Sequence, residues 1–368
     1  MKKKLIISIW ADPSNYINLL FLINYFLKKK FELILICQFI EKKNDFYYFV
    51  KKSKNLKVLE INKKNKIGFL YFFFQKIIWL IKFRPQTLIS INFISLFFSY
   101  LIRNKKLKWI YYNFDFNITQ KFNLNNYLEK KIVTKVDVIL VPSKSRVKFY
   151  KKSFCIKDNI FDINNCFSKN FKIKNFELKK INPKLKSKNY LLRLGSFYKY
   201  HFLKEIALST KYWKKNIYLV MAGKSYEDYF LKIKNLKKKH QLNKVILIEN
   251  ISYKTWFVLL KNAIAGFALY KPINTSHKLM GGTSQKLNNY IFAGIPSFIN
   301  NNKDFLDFNK KYNTSIVVNN SIKDIGKKVN YLLDNKNYYK LKINKNKKAF
   351  KKEFNFEKQI NRIEKFIM

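Results

Sequence analysis

The chain is poor in cysteine, in acid and in long apolar runs. Three cysteines, Cys37, Cys155 and Cys166, are scattered over 368 residues, and none forms a CxxC pair. That spacing excludes a disulfide framework and gives no zinc or thiol-redox signature. The three read as small buried hydrophobes. Asp and Glu number 22 against 75 Lys and Arg, so carboxylates for paired acid/base chemistry are scarce. No DxD occurs, and no metal-held diphosphate is signalled. The most membrane-like stretch, Ile67 to Phe83, is interrupted by Gln75, Lys76 and Lys82. It falls short of the roughly 20 apolar residues of a spanning helix and reads as a buried or interfacial one. The apolar run Leu5 to Trp10 after the basic start is too short for a secretory signal, so the expected location is the cytoplasm.

What is present is ample core material, 48% hydrophobic residues, in a length that favours two domains. The formal net charge of +53 raises the possibility of a nucleic-acid partner. Lysine is spread evenly rather than gathered in one patch, and no specific nucleic acid is expected. An anionic membrane surface suits the charge better, since each well-placed Lys or Arg there contributes about 1 kcal/mol.

Apolar strand-like runs alternate with helical patterns along the chain. In the first half the strands are Leu5–Ile9, Phe31–Phe39, Thr87–Ile91, Trp109–Tyr112 and Val136–Val141. Asn165 to Lys188, polar and lysine-rich around Pro183, reads as a linker. A second series follows, with strands Tyr190–Leu194, Ile217–Met221, Val245–Ile248, Gly266–Tyr270 and Ser297–Ile299. This alternation predicts α/β architecture with two parallel sheets. Near-continuous apolar strands fit sheets covered on both faces. The expected domains are residues 1–178 and 187–345, with a terminal helix, 346–368, returning to the first. Ligands of such sheets lie beyond the carboxyl ends of the strands, here in the expected cleft between the domains.

One segment stands out chemically. Gly281-Gly282-Thr283-Ser284-Gln285-Lys286 leads into a helix that ends at Ala293-Gly294-Ile295-Pro296. Glycines allow a tight turn and close approach of a ligand. Ser284 is a good N-cap. The free amides of a helix start favour an anion. Lys286 in the first turn opposes the helix dipole unless an anion is bound there, although a solvated lysine is the plainer alternative in so lysine-rich a chain.

The run SQKLNNYIFAGIPSF, residues 284–298, resembles the NKLFEYMAAGKPVI signature of the retaining family-four (group 1) bacterial glycosyltransferases, which have the GT-B fold. Other segments resemble that family in the same order: LEKKIVTKVDVILVPSKSRV, IFDINNCF, LRLGS, NIYLVMAGKS and VILIENISYKTWFVLLKNAIAGFALY. The resemblance implies two Rossmann-like domains facing each other across a cleft, the first for the acceptor and the second for a nucleotide sugar. It implies sugar transfer from a UDP- or GDP-sugar to a glycan or lipid-linked acceptor, with retention, in cell-surface polysaccharide synthesis. The chain would then work peripherally on the inner face of the cytoplasmic membrane, with no bound cofactor.

By the same resemblance, Gly195, Ser196, Arg193, Gly282, Thr283, Ser284, Lys286 and Asn289 would bind the donor. Lys286, Lys199 and Asp115 would serve catalysis, with His201 as a further polar candidate and the loop Asp12–Asn15 approaching the donor phosphates. The chain departs from the pattern where the family often carries glutamates, positions occupied here by Gly281 and Asn289. The competing readings are a non-catalytic basic membrane- or nucleic-acid-binding protein and a sugar-nucleotide epimerase on the same fold.

Overall fold

A computed structural model describes residues 3–38, 53–62, 66–102, 106–114, 123–171, 177–186, 189–214 and 216–368. The chain divides into two compact units. Unit 1 comprises Met1–Asn165 and Gln359–Met368, and unit 2 comprises Cys166–Lys358.

Unit 1 is built on seven strands: β1 (Lys4–Ile9), β2 (Glu32–Gln38), β3 (Leu56–Ile61), β4 (Thr87–Ile91), β5 (Lys108–Tyr112), β6 (Val138–Val141) and β7 (Ile160–Asp162). Their order is β3-β2-β1-β4-β5-β6-β7, and every neighbouring pair is parallel. The central strands are buried along almost their whole length, as expected for a sheet covered by helices on both faces. The expected strands appear, and two more join them at the sheet edges. Both escaped the sequence reading for a physical reason. β3 alternates exposed Lys57 with partly buried neighbours, an edge-strand pattern, and β7 is only three residues long.

The helix Phe356–Ile367 supplies Ile360, Ile363 and Ile367 to the core of unit 1. Arg362 pairs with Asp162 at 3.1 Å, and Phe366 stacks on Phe161 at 4.3 Å. The C-terminal segment forms two helices, Lys336–Lys352 and Phe356–Ile367, separated by a short break. Among the described residues no helix is long and apolar enough to cross a membrane.

Unit 2 holds β8 (Tyr190–Leu194), β9 (Tyr218–Gly223), β10 (Val245–Glu249), β11 (Gly266–Ala268), β12 (Ser297–Asn300) and β13 (Ser315–Val318), in the order β10-β9-β8-β11-β12-β13, again all parallel. The last strand, β13, was not foreseen from the sequence. The strand order reverses between β8 and β11. Chains leaving the carboxyl ends of these two strands run to opposite sides and open a crevice there. Phe167, just past the division between the units, is fully buried in unit 2 against Phe292 at 4.3 Å and Trp256 at 5.5 Å.

Candidate nucleotide site

The helix Gln285–Ala293 is locked onto the sheet at this switch point. Its Tyr290 fits the space left by Gly266 on β11, where an added Cβ would lie 2.1 Å from the ring. The Tyr290 hydroxyl donates to the carbonyls of Leu192 at 3.1 Å and Phe267 at 3.3 Å, bridging β8 and β11. Gly294 at φ +70° caps the far end, returning its own amide and that of Ile295 to the last turn. The start of the helix is thereby held at the crevice.

Ser284 is the N-cap, and its hydroxyl oxygen accepts from the Leu287 amide at 3.2 Å. The Thr283 and Ser284 amides, the donors expected from the sequence, both turn back onto the Met280 carbonyl at 3.2 and 2.9 Å. The open donors lie one step further along. Among the described residues, no acceptor meets the Gln285 or Lys286 amide. Gly282 takes φ +78°, and its carbonyl accepts from Asn288 Nδ2 at 2.8 Å.

Lys286 is buried, and its ammonium faces the turn that leaves β8. Gly195 makes room for it. At φ +107°, Gly195 has the Lys286 Cε 2.9 Å and Nζ 3.3 Å from where its own Cβ would be. Gly223, at the end of β9, makes room in turn for the Gly195 carbonyl, which would lie 2.0 Å from an added Cβ. Lys286 Nζ donates to the Tyr270 hydroxyl at 3.3 Å and lies 4.6 Å from the centre of its ring. The Tyr270 hydroxyl also meets Ser284 Oγ at 2.8 Å. Tyr270 follows β11 directly and was not foreseen from the sequence. Its position two residues past a strand end, opposite the Gly195 turn, is the signal that marks it.

Arg193 is almost completely buried. It turns onto its own loop, donating to the carbonyls of Gly195 at 2.5 Å and Ser196 at 2.7 Å. His201 is buried beside it, with Nδ1 3.0 Å from the Ser196 carbonyl. A carbonyl only accepts, so Nδ1 holds the proton. Three basic side chains thus share one buried neighbourhood. Burial and the Arg193 charge hold Lys286 well below the usual lysine range. Burial, Lys286 and Arg193 push His201 well below the ordinary imidazole range. Burial lowers even Arg193, to about 10, and raises Tyr270 to about 12. Such convergent shifts in a crevice mark sites that bind or transform charged ligands.

The remaining expected residues divide. Asn289 is buried one turn along the same helix, and its Oδ1 has no partner among the described residues. Thr283 is buried in the turn before the helix, and Ser196 lines the β8 loop. Lys199 stands apart in an exposed ion pair with Glu227 at 3.3 Å, its ammonium also near the rings of Tyr198 and Tyr200. His201 rather than Lys199 is the neighbour of Lys286. Asp115 lies outside the described residues. In unit 1, Asp12 caps the turn Pro13–Asn15 by accepting from the Ser14 amide at 2.9 Å.

No protein-family model and no curated protein matches the sequence. Solved structures match over the full length. Alr3699/HepE from Anabaena, in complex with UDP and glucose, superposes with a TM-score of 0.76 at 9% identity, covering 99% of this chain and 98% of that one. A glycosyltransferase from Rickettsia africae gives a TM-score of 0.74 at 12% identity over the same shares. A putative UDP-N-acetylglucosamine 2-epimerase from Listeria monocytogenes gives 0.65 at 11%, covering 99% of this chain and 95% of that one. The chain therefore has the GT-B fold of two Rossmann-like units. At these identities the likeness establishes fold and leaves chemistry to the site.

Proposed function

We propose that the chain is a glycosyltransferase using a nucleoside-diphosphate sugar, with the diphosphate held at the start of the helix Gln285–Ala293. The observation that supports this most is Lys286. A lysine buried beside a buried arginine, with no carboxylate bonded to it among the described residues, costs stability by itself. An anion at the same place converts that cost into binding. The Gln285 and Lys286 amides and the positive end of the helix dipole point the same way. HepE, with UDP and glucose bound, and the Rickettsia glycosyltransferase have this fold.

In the proposed reaction the bond between the anomeric carbon and the β-phosphate oxygen breaks. Its electron pair leaves with the nucleotide, and the acceptor hydroxyl bonds to the carbon and loses its proton. Charge grows on the β-phosphate, and groups aimed there lower the barrier. In this reading Lys286 and the Gln285 and Lys286 amides take that task. Arg193 and His201 shape the opposing loop, and the Arg193 charge adds positive potential. Asn289, with its unpartnered oxygen, is assigned to the ribose hydroxyls. Lys199 would reach the phosphates only on leaving Glu227.

The same reading extends to retention, to a glycan or lipid-linked acceptor in surface-polysaccharide synthesis, and to work at an anionic cytoplasmic membrane face. The test is calorimetry with UDP, GDP, dTDP and CMP, followed by product analysis with the matching sugar nucleotides. A diphosphate nucleotide should bind, and free UDP or GDP should appear when acceptor is present. Isomerised donor with no release of nucleotide would assign the site to an epimerase instead, and no nucleotide binding at all would overturn both.

A further inference from the structure

One helix of unit 1 has its polarity inverted. On Lys66–Phe83 the exposed large residues are Ile67, Leu70, Tyr71, Phe74, Ile78 and Ile81, each 38–68% exposed. Their spacing follows one face of a 3.6-residue helix, a stripe along an element about 27 Å long. On the opposite face Lys76 is fully buried. It donates to the Ser95 carbonyl at 2.7 Å and to the hydroxyls of Ser95 and Ser99. Phe69 and Phe73 pack on Phe98 at 4.5 and 4.9 Å. These inner contacts set the helix rotation, so the apolar stripe cannot turn inward. In a chain that carries 75 Lys and Arg, the one exposed lysine on this face among the described residues is Lys82, in the last turn of the helix.

The adjoining helices continue the pattern. Asn92–Leu101 exposes Tyr100 and Leu101, and Leu124–Val133 exposes Leu124 and Tyr127. The cations of this region lie against aromatic rings: Lys57 over Trp79 at 4.0 Å, Lys131 over Tyr127 at 4.6 Å and Lys135 over Tyr100 at 4.9 Å. An aliphatic centre with a Tyr, Trp and Lys margin matches the layers of a bilayer interface, where aromatic rings sit at headgroup depth and lysines reach outward. A protein partner would be expected to meet fewer lysines, which are depleted in such interfaces.

We propose that this three-helix face of unit 1 docks on an anionic lipid bilayer, with the Lys66–Phe83 helix lying in the interface plane. The assignment rests on the peripheral-membrane part of the functional reading and is independent of the nucleotide site. The experiment uses the full chain with vesicles of phosphatidylcholine alone or mixed with phosphatidylglycerol. The variant Leu70→Gln/Phe74→Gln/Ile78→Gln alters only exposed positions. Its control is Leu231→Gln/Leu306→Gln/Leu341→Gln, exposed positions of unit 2. Wild type should partition more strongly onto the anionic vesicles, and rising salt should weaken it. The first variant should lose tenfold or more in partitioning, and the control less than twofold. UDP affinity, measured on the same samples, should be unchanged in both, which separates this face from the nucleotide site, and unchanged thermal unfolding verifies that unit 1 is folded in the variant. Equal losses, equal binding to neutral and anionic vesicles, or no partitioning would overturn the proposal. So would lipid-free self-association abolished by the same triple variant, which would assign the face to a second copy of the chain.

Discussion

If the diphosphate sits at Lys286, nucleotide binding must take up a proton in a pH window below the usual lysine range. Burial and Arg193 hold the lysine well below its usual range. The groups facing it are Arg193, His201, the Tyr270 hydroxyl and Ser284, and none is an acid. A diphosphate beside it would favour the charged form and raise its pKa again. Between the lowered and the restored pKa, each bound nucleotide draws up to about one proton, and affinity falls by as much as about 1.4 kcal/mol per pH unit as pH rises. Below the lowered pKa the lysine is charged in both states and affinity levels off. The nucleotide's own terminal phosphate, with a pKa near about 6, is fully ionised above neutrality and does not confuse the window. The assay is titration calorimetry of UDP at pH 7, 8 and 9 in buffers of different ionisation enthalpy. His201, also held neutral in the empty site, can add to the uptake, and Lys286→Met separates the two contributions. Affinity and proton balance that stay flat over this range would refute the placement of the phosphates at Lys286.

Other outcomes follow from the same geometry. Gly195→Ala places a Cβ 2.9 Å from Lys286 Cε on backbone at φ +107°. It should cost roughly 1–3 kcal/mol in urea denaturation and displace the lysine, lowering UDP affinity at least about tenfold. Tyr270→Phe removes the hydroxyl shared by Ser284 and Lys286 while keeping the ring. UDP affinity should fall by about 0.5–1.5 kcal/mol, and an unchanged value would show that the hydroxyl does not position Lys286. Lys76, buried without a carboxylate, is lowered far below 10.5 by desolvation. The folded state then binds fewer protons than the unfolded chain, so its contribution to stability rises with pH between the lowered pKa and about 10.4. Lys76→Met should therefore reduce the gain in urea midpoint between pH 7 and pH 9, and identical gains would contradict this.

The sequence was most informative where physical pattern is local. Strands β1, β4, β8 and β12 are short runs dominated by apolar residues, and Gly294 with Pro296 marks the helix end without ambiguity. Ser284 as the N-cap and a basic residue in the first turn could likewise be read directly. The site was less legible wherever the decisive fact was a direction. Which amides point outward depends on how the turn after Met280 closes, and Gly281 and Gly282 permit that turn without fixing which amides it uses. Lys199 and His201 are near neighbours in sequence, yet one reaches Glu227 on the surface and the other is buried beside Arg193. Tyr270 sits at a strand end that the switch-point rule singles out only once strand order is known. Lys76 was hidden by composition, since in so lysine-rich a chain one more lysine within an apolar run reads as an interruption rather than as an inner anchor.

The central claim is that Lys286 grips a nucleotide diphosphate, and its most direct measurement compares Lys286→Ala with Lys340→Ala. Both changes remove one lysine amine, but Lys340 is exposed on the Lys336–Lys352 helix. Titration calorimetry with UDP at neutral pH should give a loss of about 1.5–3 kcal/mol, roughly ten- to a hundredfold, for Lys286→Ala. Lys340→Ala should bind as wild type does. Equal small losses in the two variants, or an unchanged affinity in Lys286→Ala, would contradict the account.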